Sequence, residues 1–407
     1  MRTIEIDPTD AARLLVEHLG LASYRKERGV AGARAMLDTL GAVQLDPLDA
    51  IGTNADLVAL ARVRALGKGD VYASILPHHG FEHFAKERCL LPARAFPYYR
   101  DRMVETPWWR TGERAQRVAP ETLEAVLAEV RARGPLAASE LSDHGRVTPI
   151  DWSGWKGTSS AAKMALEMLW TRCAVVVTGR RGRDKIYDVP ERALPRHHDA
   201  RCEHAFERWA LLERVRGAGL LAESASPSWS MLRHARGGAL IESAIEEGVI
   251  ERVRVAGRAA TYLAPAGLRA QKRARLDDAM RILGPLDPLL WDRALVRHAF
   301  GFDYVWEVYK PAKLRRWGWY VCPLLHRGRL VGRLEAEIAG RTLVVKRLWP
   351  EEGVPLDEDA LDAALARHAE ACGADAVRRL ARAARAENAV TSRRRPRSPG
   401  PARRRAR

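Results

Sequence analysis

A unit of two helical segments followed by an extended segment recurs along this chain and constrains its fold more than any other feature. The first copy has helical segments at 8–20 and 28–41 and a short extended run at 42–47. The second copy ends in a strand, turn and strand at 174–189, and the third covers 203–264. Helices followed by short hairpins predict winged helices, three of them in tandem. For the second copy, any small α+β domain with a hairpin is an alternative.

The chain changes character at about residue 280, where aromatic and β-branched residues become dense and turns separate several strands. This composition predicts a compact β domain, either a sheet or a barrel-like structure. We therefore predict an α+β protein of tandem winged-helix motifs followed by a C-terminal β-sheet or barrel-like domain. The predicted divisions are winged-helix regions at 1–118, 119–200 and 201–280, the β domain with a closing helix at 281–388, and a disordered Arg-rich tail at 389–407.

The charge balance is strongly basic, with 68 Lys and Arg against 51 Asp and Glu in 407 residues, a net charge of +17. Eight of these positive charges lie in the tail at 391–407, and without them the net charge falls from +17 to +9. The folded part is therefore basic in its own right, which favours a nucleic-acid partner. Arginine usage driven by a GC-rich genome is the alternative explanation.

Several function classes are excluded by missing motifs. The five cysteines are far apart and form no CxxC pair, so neither a zinc ribbon nor a disulfide framework is supported. The P-loop, GxGxxG and GxSxG motifs are absent from the sequence. There is no apolar run of about 18 residues and no signal-peptide pattern at the N-terminus, so we expect a cytoplasmic protein without a membrane span.

A polar pair interrupts the short extended run at 42–47. Val43 and Leu45 alternate with Gln44 and Asp46, so an extended chain places both polar side chains on one face. The pair is a weak signal by itself, because any half-buried strand can carry one.

Three segments of the C-terminal region carry a resemblance to a known family: GPLDPLLWDR at 284–293, YKPAK at 309–313, and YVCPLLHRGRLVGRLEAE at 320–337. They strongly resemble the YcaQ/AlkZ-type winged-helix DNA glycosylases, and the resemblance extends from about residue 8 to residue 385. It implies a monofunctional DNA glycosylase that removes N7-alkylated guanine and unhooks DNA interstrand crosslinks. It also implies tandem winged helices with a C-terminal β domain, and no metal or organic cofactor.

The resemblance also implies the site residues. The family carries Gln–aliphatic–Gln in one branch and Gln–aliphatic–Asp in the other, and Gln44-Leu45-Asp46 matches the second, YcaQ-like branch. Asp46 would stabilise the oxocarbenium-like sugar and activate water, and Gln44 would hold the water or orient the carboxylate. Lys86 and Glu87 are candidate supports, although Lys86 stands where the family usually has His, and Glu87 can equally be a surface acid.

Binding to double-stranded DNA is expected to come from two basic clusters, each of which can alternatively be solvated surface charge. The candidates are Arg180, Arg181, Arg183 and Lys185 on the predicted hairpin, and Lys310, Lys313, Arg315 and Arg316 in the β domain. The protein is expected to be a monomer associated with the nucleoid. The alternative function is a non-enzymatic winged-helix DNA-binding protein or transcriptional regulator, and an Asp46 that faces the DNA would distinguish the enzyme from it.

Overall fold

The computed structural model describes residues 3–100, 102, 109–150, 157–182, 184–224, 226–229, 232, 236–271 and 273–380. Within these residues the chain forms a mixed α/β structure with five β-sheets. The predicted tail at 389–407 lies outside the described part, as does Arg183. None of the described helices has the length and apolar character that a bilayer span requires.

The first helix of the first region has a capping residue directly before it in the sequence. The Asp7 carboxylate accepts a hydrogen bond from the backbone N–H of Asp10 at 2.7 Å, and Pro8 occupies the first helical turn. The next helix ends at Gly41, whose φ of +70° favours glycine. The elements of this region are β1 (Ile4–Ile6), α1 (Pro8–His18), α2 (Gly29–Leu40), β2 (Val43–Gln44), α3 (Asn54–Leu60), α4 (Asp70–Ile75), β3 (Gly80–Phe84), β4 (Arg88–Pro92), α5 (Phe96–Arg100) and α6 (Thr111–Ala115).

A three-stranded antiparallel sheet of order β2-β4-β3 organises this region. Strand β2 is short and lies at the edge of the sheet, with Gln44 opposite Cys89 on β4. The turn that joins β3 to β4 contains Lys86 and Glu87. The sheet therefore brings the Gln44 strand next to this turn.

The second region contains the hairpin that the sequence predicts, formed by two antiparallel strands in a sheet of order β5-β9-β8. A separate two-stranded sheet pairs β6 with β7. The elements are α7 (Pro120–Arg133), β5 (Leu136–Ala137), β6 (Arg146–Val147), β7 (Ser159–Ser160), α8 (Ala161–Thr171), β8 (Val176–Arg181), β9 (Asp184–Asp188) and α9 (Pro190–Ala193).

The third region forms a four-stranded sheet of order β1-β11-β12-β10, which includes the first strand of the chain. Strand β1 pairs in parallel with β11, with Ile4 opposite Val253. The N-terminal strand thus completes a sheet by pairing with a strand about 250 residues later in the chain. The number of winged helices and the divisions at 118, 200, 280 and 388 stay predictions. The elements are α10 (Phe206–Ala218), β10 (Leu221–Ala222), α11 (Ala239–Glu246), β11 (Ile250–Val255) and β12 (Thr261–Pro265).

The C-terminal region is a five-stranded sheet of order β13-β14-β15-β16-β17 that curls into a half-barrel. This agrees with the predicted sheet or barrel-like domain. The register shifts between Leu324 and Leu325 and again between Glu335 and Ala336, and such irregularities bend a sheet. The elements are β13 (Arg281–Ile282), α12 (Arg293–Phe300), β14 (Val321–His326), β15 (Arg329–Ala339), β16 (Thr342–Pro350), α13 (Glu358–Ala371) and β17 (Ala376–Arg379).

The segment at 284–293 joins the half-barrel to helix α3 of the first region. Asp287 and Arg62 form a buried bidentate ion pair with N–O distances of 2.7 and 3.0 Å. Gly284 passes so close to α3 that a Cβ there would lie 2.5 Å from Oδ1 of Asn54. A side chain at position 284 would therefore push this segment away from the start of α3.

Candidate active site

Gln44 is held at the end of β2 by contacts that reach the distant segment at 284–293. Its backbone carbonyl accepts a hydrogen bond from Nδ2 of Asn54 at 2.8 Å. The Oδ1 atom of Asn54 in turn accepts from the backbone N–H of Leu286 at 3.0 Å. Asn54 is 1% exposed, so this amide bridge is shielded from water. It fixes β2 relative to the segment that carries part of the family resemblance.

Lys86 reaches the same place from the turn between β3 and β4. Its Nζ donates a hydrogen bond to Oε1 of Gln44 at 3.0 Å and lies 5.2 Å from the centre of the Trp291 ring. Burial is the main cause that lowers the pKa of Lys86. Because Lys86 donates its hydrogen bond to the side-chain carbonyl oxygen of Gln44, the side-chain NH2 group of Gln44 remains available to donate a hydrogen bond to a substrate or water.

Asp46 lies two residues after the end of β2 and is half-buried. Its Oδ1 atom accepts a hydrogen bond from the backbone N–H of Leu48 at 2.9 Å. Burial raises the pKa of Asp46, and the Leu48 hydrogen bond opposes this effect. Within the described ranges no Lys, Arg or His lies at ion-pair distance from the carboxylate. A partly desolvated carboxylate without a cation is well suited to stabilise a positive charge on a substrate.

An exposed aromatic side chain of the β domain is within electrostatic reach of this carboxylate. Tyr309 is 82% exposed, and its ring packs edge-to-face against Trp306 at 5.4 Å. Partial burial and then the negative charge of Asp46 raise the pKa of Tyr309. The exposed ring offers a surface on which a base can stack.

Comparisons with known proteins assign the chain to a family. The family described as DNA glycosylase AlkZ-like matches residues 37–371, which is most of the chain. This chain belongs to the AlkZ-like DNA glycosylases. Its fold is similar to that of the Streptomyces sahachiroi DNA glycosylase AlkZ, with a TM-score of 0.55 and 18% sequence identity over 93% of this chain and 100% of that one. The chain is thus an enzyme that acts on DNA in repair, and the alternative of a non-enzymatic regulator loses its support.

The described hairpin cations of this glycosylase lie on β8 and β9, as the sequence predicts, and they contact other side chains of the protein. Arg180 forms an ion pair with Glu82, which is fully buried and also binds Arg88. Arg181 pairs with Glu140 at 3.0 Å. Lys185 lies 5.9 Å from the Trp170 ring, and burial is the main cause that lowers its pKa to about 7. Contact of these side chains with DNA stays a prediction, and each would have to leave a protein contact to make it.

The second predicted cluster surrounds the exposed Tyr309. Lys310 pairs with Glu307 at 2.8 Å, and Nε of Arg315 donates to the Lys310 carbonyl at 2.8 Å. Arg316 lies 4.5 Å from the Trp317 ring, and Lys313 is exposed. Contact of this cluster with DNA stays a prediction, and its link to the candidate carboxylate is the effect of the Asp46 charge on Tyr309, which directly precedes Lys310.

Glu87 occupies the turn beside Lys86 with a φ of +64°, a conformation that glycine normally prefers. Its support of the site stays a prediction.

Sequence reasoning missed Asn54, which bridges Gln44 and Leu286, because its only local signal is its position after the helix-capping Thr53. Tyr309 is likewise absent from the predicted site residues, although it opens the YKPAK segment.

Proposed function

We propose that this glycosylase hydrolyses the N-glycosidic bond of N7-alkylated guanine in double-stranded DNA and unhooks interstrand crosslinks made through that atom. The observation that carries the proposal is the half-buried Asp46 carboxylate, which has no cation at ion-pair distance within the described residues and whose charge acts on the exposed Tyr309. The enzyme would act as a monomer in the cytoplasm, on nucleoid DNA.

The chemistry requires no acid on the departing base. Alkylation at N7 gives guanine a positive charge, so the base leaves without being protonated, and the sugar becomes oxocarbenium-like. Asp46 would stabilise this cation electrostatically. Because the carboxylate is partly shielded from water, the interaction between the two charges would be stronger than in bulk solvent. The same carboxylate would then accept a proton from the attacking water.

Gln44 would position that water. Its carbonyl oxygen is held by Lys86 at 3.0 Å, and its backbone is held by Asn54, so its amide NH2 group has a restricted orientation. A donor fixed in this way can bind the oxygen of a water molecule while Asp46 accepts its proton. Tyr309 would stack on a base near the lesion.

The test is base release by the Asp46→Asn variant. Duplexes that carry either one N7-methylguanine or one N7-linked crosslink are incubated with the protein, and abasic sites are revealed by alkali. We expect the variant to be slower by about 100-fold or more, since one electrostatic stabiliser is lost.

Asp49 provides the matched control, because it lies three residues further on and pairs with Lys68 at 2.7 Å. Asp49→Asn should keep the wild-type rate. Equal rates for Asp46→Asn and wild type would remove Asp46 from its role, and no release of either lesion by wild type would contradict the proposed substrates.

A further inference from the structure

Lys86 presents a primary amine at the site, and hydrolysis of a cationic base does not require one. The amine contacts Gln44, two residues before Asp46. It also lines an open cleft of about 470 Å³ together with Trp291, Asp292 and Arg293. A ligand in this cleft can therefore reach the amine without entering the protein core.

Lys86 lacks the carboxylate partner that three of the described lysines have. Lys68, Lys310 and Lys346 each pair with a carboxylate, on Asp49, Glu307 and Glu337 respectively. Within the described residues Lys86 has no carboxylate at ion-pair distance, and its one hydrogen-bond acceptor is the neutral Gln44 amide. An ammonium group has three donors, so this arrangement leaves it weakly stabilised as a cation. Burial disfavours the charged form further and lowers the pKa of Lys86.

We propose that Lys86 gives this glycosylase an abasic-site lyase activity, in which its amine forms a Schiff base with the deoxyribose left after base excision. The inference rests on the proposed function, because it requires the sugar to lie at the Gln44–Asp46 site. It goes beyond that function, because the hydrolytic reaction ends at the intact abasic site.

The reaction balances without an external oxidant or reductant. The neutral amine adds to C1′ of the open-chain aldehyde, and the aldehyde oxygen leaves as water to give an iminium ion. A base removes one C2′ proton, and the proposed acceptor is Asp46, two residues from the Gln44 side chain that Lys86 contacts. The electron pair forms the C2′–C3′ double bond, and the C3′–O bond breaks to release a 5′-phosphate end. Water then hydrolyses the conjugated iminium and returns the Lys86 amine.

The test uses a duplex that already contains one abasic site, so it does not depend on recognition of a damaged base. Wild-type protein is incubated with this duplex and sodium cyanoborohydride, which reduces an iminium ion to a stable amine. We expect a covalent protein–DNA complex, and strand incision when the reductant is omitted. Proteolysis and mass spectrometry should place the adduct on Lys86.

Two variants remove the nucleophile in different ways. Lys86→Met lacks the amine, whereas Lys86→Arg keeps a positive charge and a donor for Gln44 but is not nucleophilic at neutral pH. Both should reduce trapping by about 100-fold or more. Lys346→Met is the control, because Lys346 has a primary amine too but pairs with the Glu337 carboxylate on the neighbouring strand. It should be trapped like wild type.

Failure to trap wild-type protein, or an adduct mapped to another residue, overturns the inference even if both Lys86 variants are unfolded. Undiminished trapping of either folded Lys86 variant also overturns it. Release of N7-methylguanine by wild type, measured in parallel, reports on the proposed glycosylase alone, so the two proposals can fail separately.

Discussion

At the residue scale, the site depends on an unfavourable environment for one carboxylate. Burial raises the pKa of Asp46, so the folded protein binds a proton there more readily than the unfolded chain does. At pH values above the pKa that Asp46 has in the unfolded chain, its ionisation therefore lowers the stability of the folded state. The loss of activity expected for Asp46→Asn should thus occur without a fall in unfolding temperature, as is typical where function opposes stability.

The same environment predicts a pH dependence. The proposed role of Asp46 requires its ionised form, so the single-turnover rate should fall as pH decreases through a midpoint above about 3.9, the ordinary value for aspartate. The measurement is N7-methylguanine release between about pH 4 and pH 8, corrected for uncatalysed depurination, with circular dichroism to show that the protein stays folded. A rate that stays constant down to about pH 4 would contradict this role of Asp46.

At the element scale, the β8–β9 hairpin shows where a local pattern is informative and where it misleads. The Gly- and Arg-rich turn between β-forming runs correctly predicted the hairpin itself. It did not reveal that Arg180 binds a carboxylate on β3, because Glu82 lies 98 residues away in the sequence. A fully buried carboxylate needs charged hydrogen-bond partners to compensate for the loss of contact with water.

We predict that Arg180→Ala destabilises the fold rather than mainly weakening DNA binding. The variant leaves buried Glu82 with Arg88 as its remaining arginine partner, and the lost charged hydrogen bond should lower the free energy of unfolding by about 1–3 kcal/mol. Urea denaturation measures this change. Arg181→Ala, which removes an exposed side chain paired with Glu140, should leave the denaturation midpoint nearly unchanged. Equal midpoints for the two variants would show that the Glu82 contact contributes nothing.

At the scale of the whole molecule, the active site depends on how the first region is joined to the half-barrel. Arg62 lies just beyond α3 and is 1% exposed, and it also donates to the backbone carbonyls of Leu19 and Val58. Its ion pair with Asp287 holds the 284–293 segment where Leu286 meets Asn54 and Trp291 meets Lys86. The position of Gln44 is therefore linked to a buried charge pair outside the site.

Asp287→Ala should lower the free energy of unfolding by about 3–5 kcal/mol, since it leaves Arg62 buried without its counter-charge. Base release should fall with it, even at temperatures where the variant remains folded. Denaturation and single-turnover assays measure both effects. Asp278→Ala, which removes the exposed pair with Arg327, is the control and should alter neither. A stable Asp287→Ala variant with a normal rate would show that this ion pair does not position the site.

The sequence by itself predicted the β8–β9 hairpin and the β-rich character of the C-terminal region, and it singled out Gln44 and Asp46, whose placement on one face stays a prediction. These follow from periodicity, capping and turn residues, which act over a few positions. The tertiary structure alone decided which charges are neutralised and what surrounds the carboxylate. The contacts Lys86–Gln44, Asp287–Arg62 and Leu286–Asn54 span 42, 225 and 232 residues. Local patterns carry no information about such partners, because burial and ion pairing depend on which distant segments pack together.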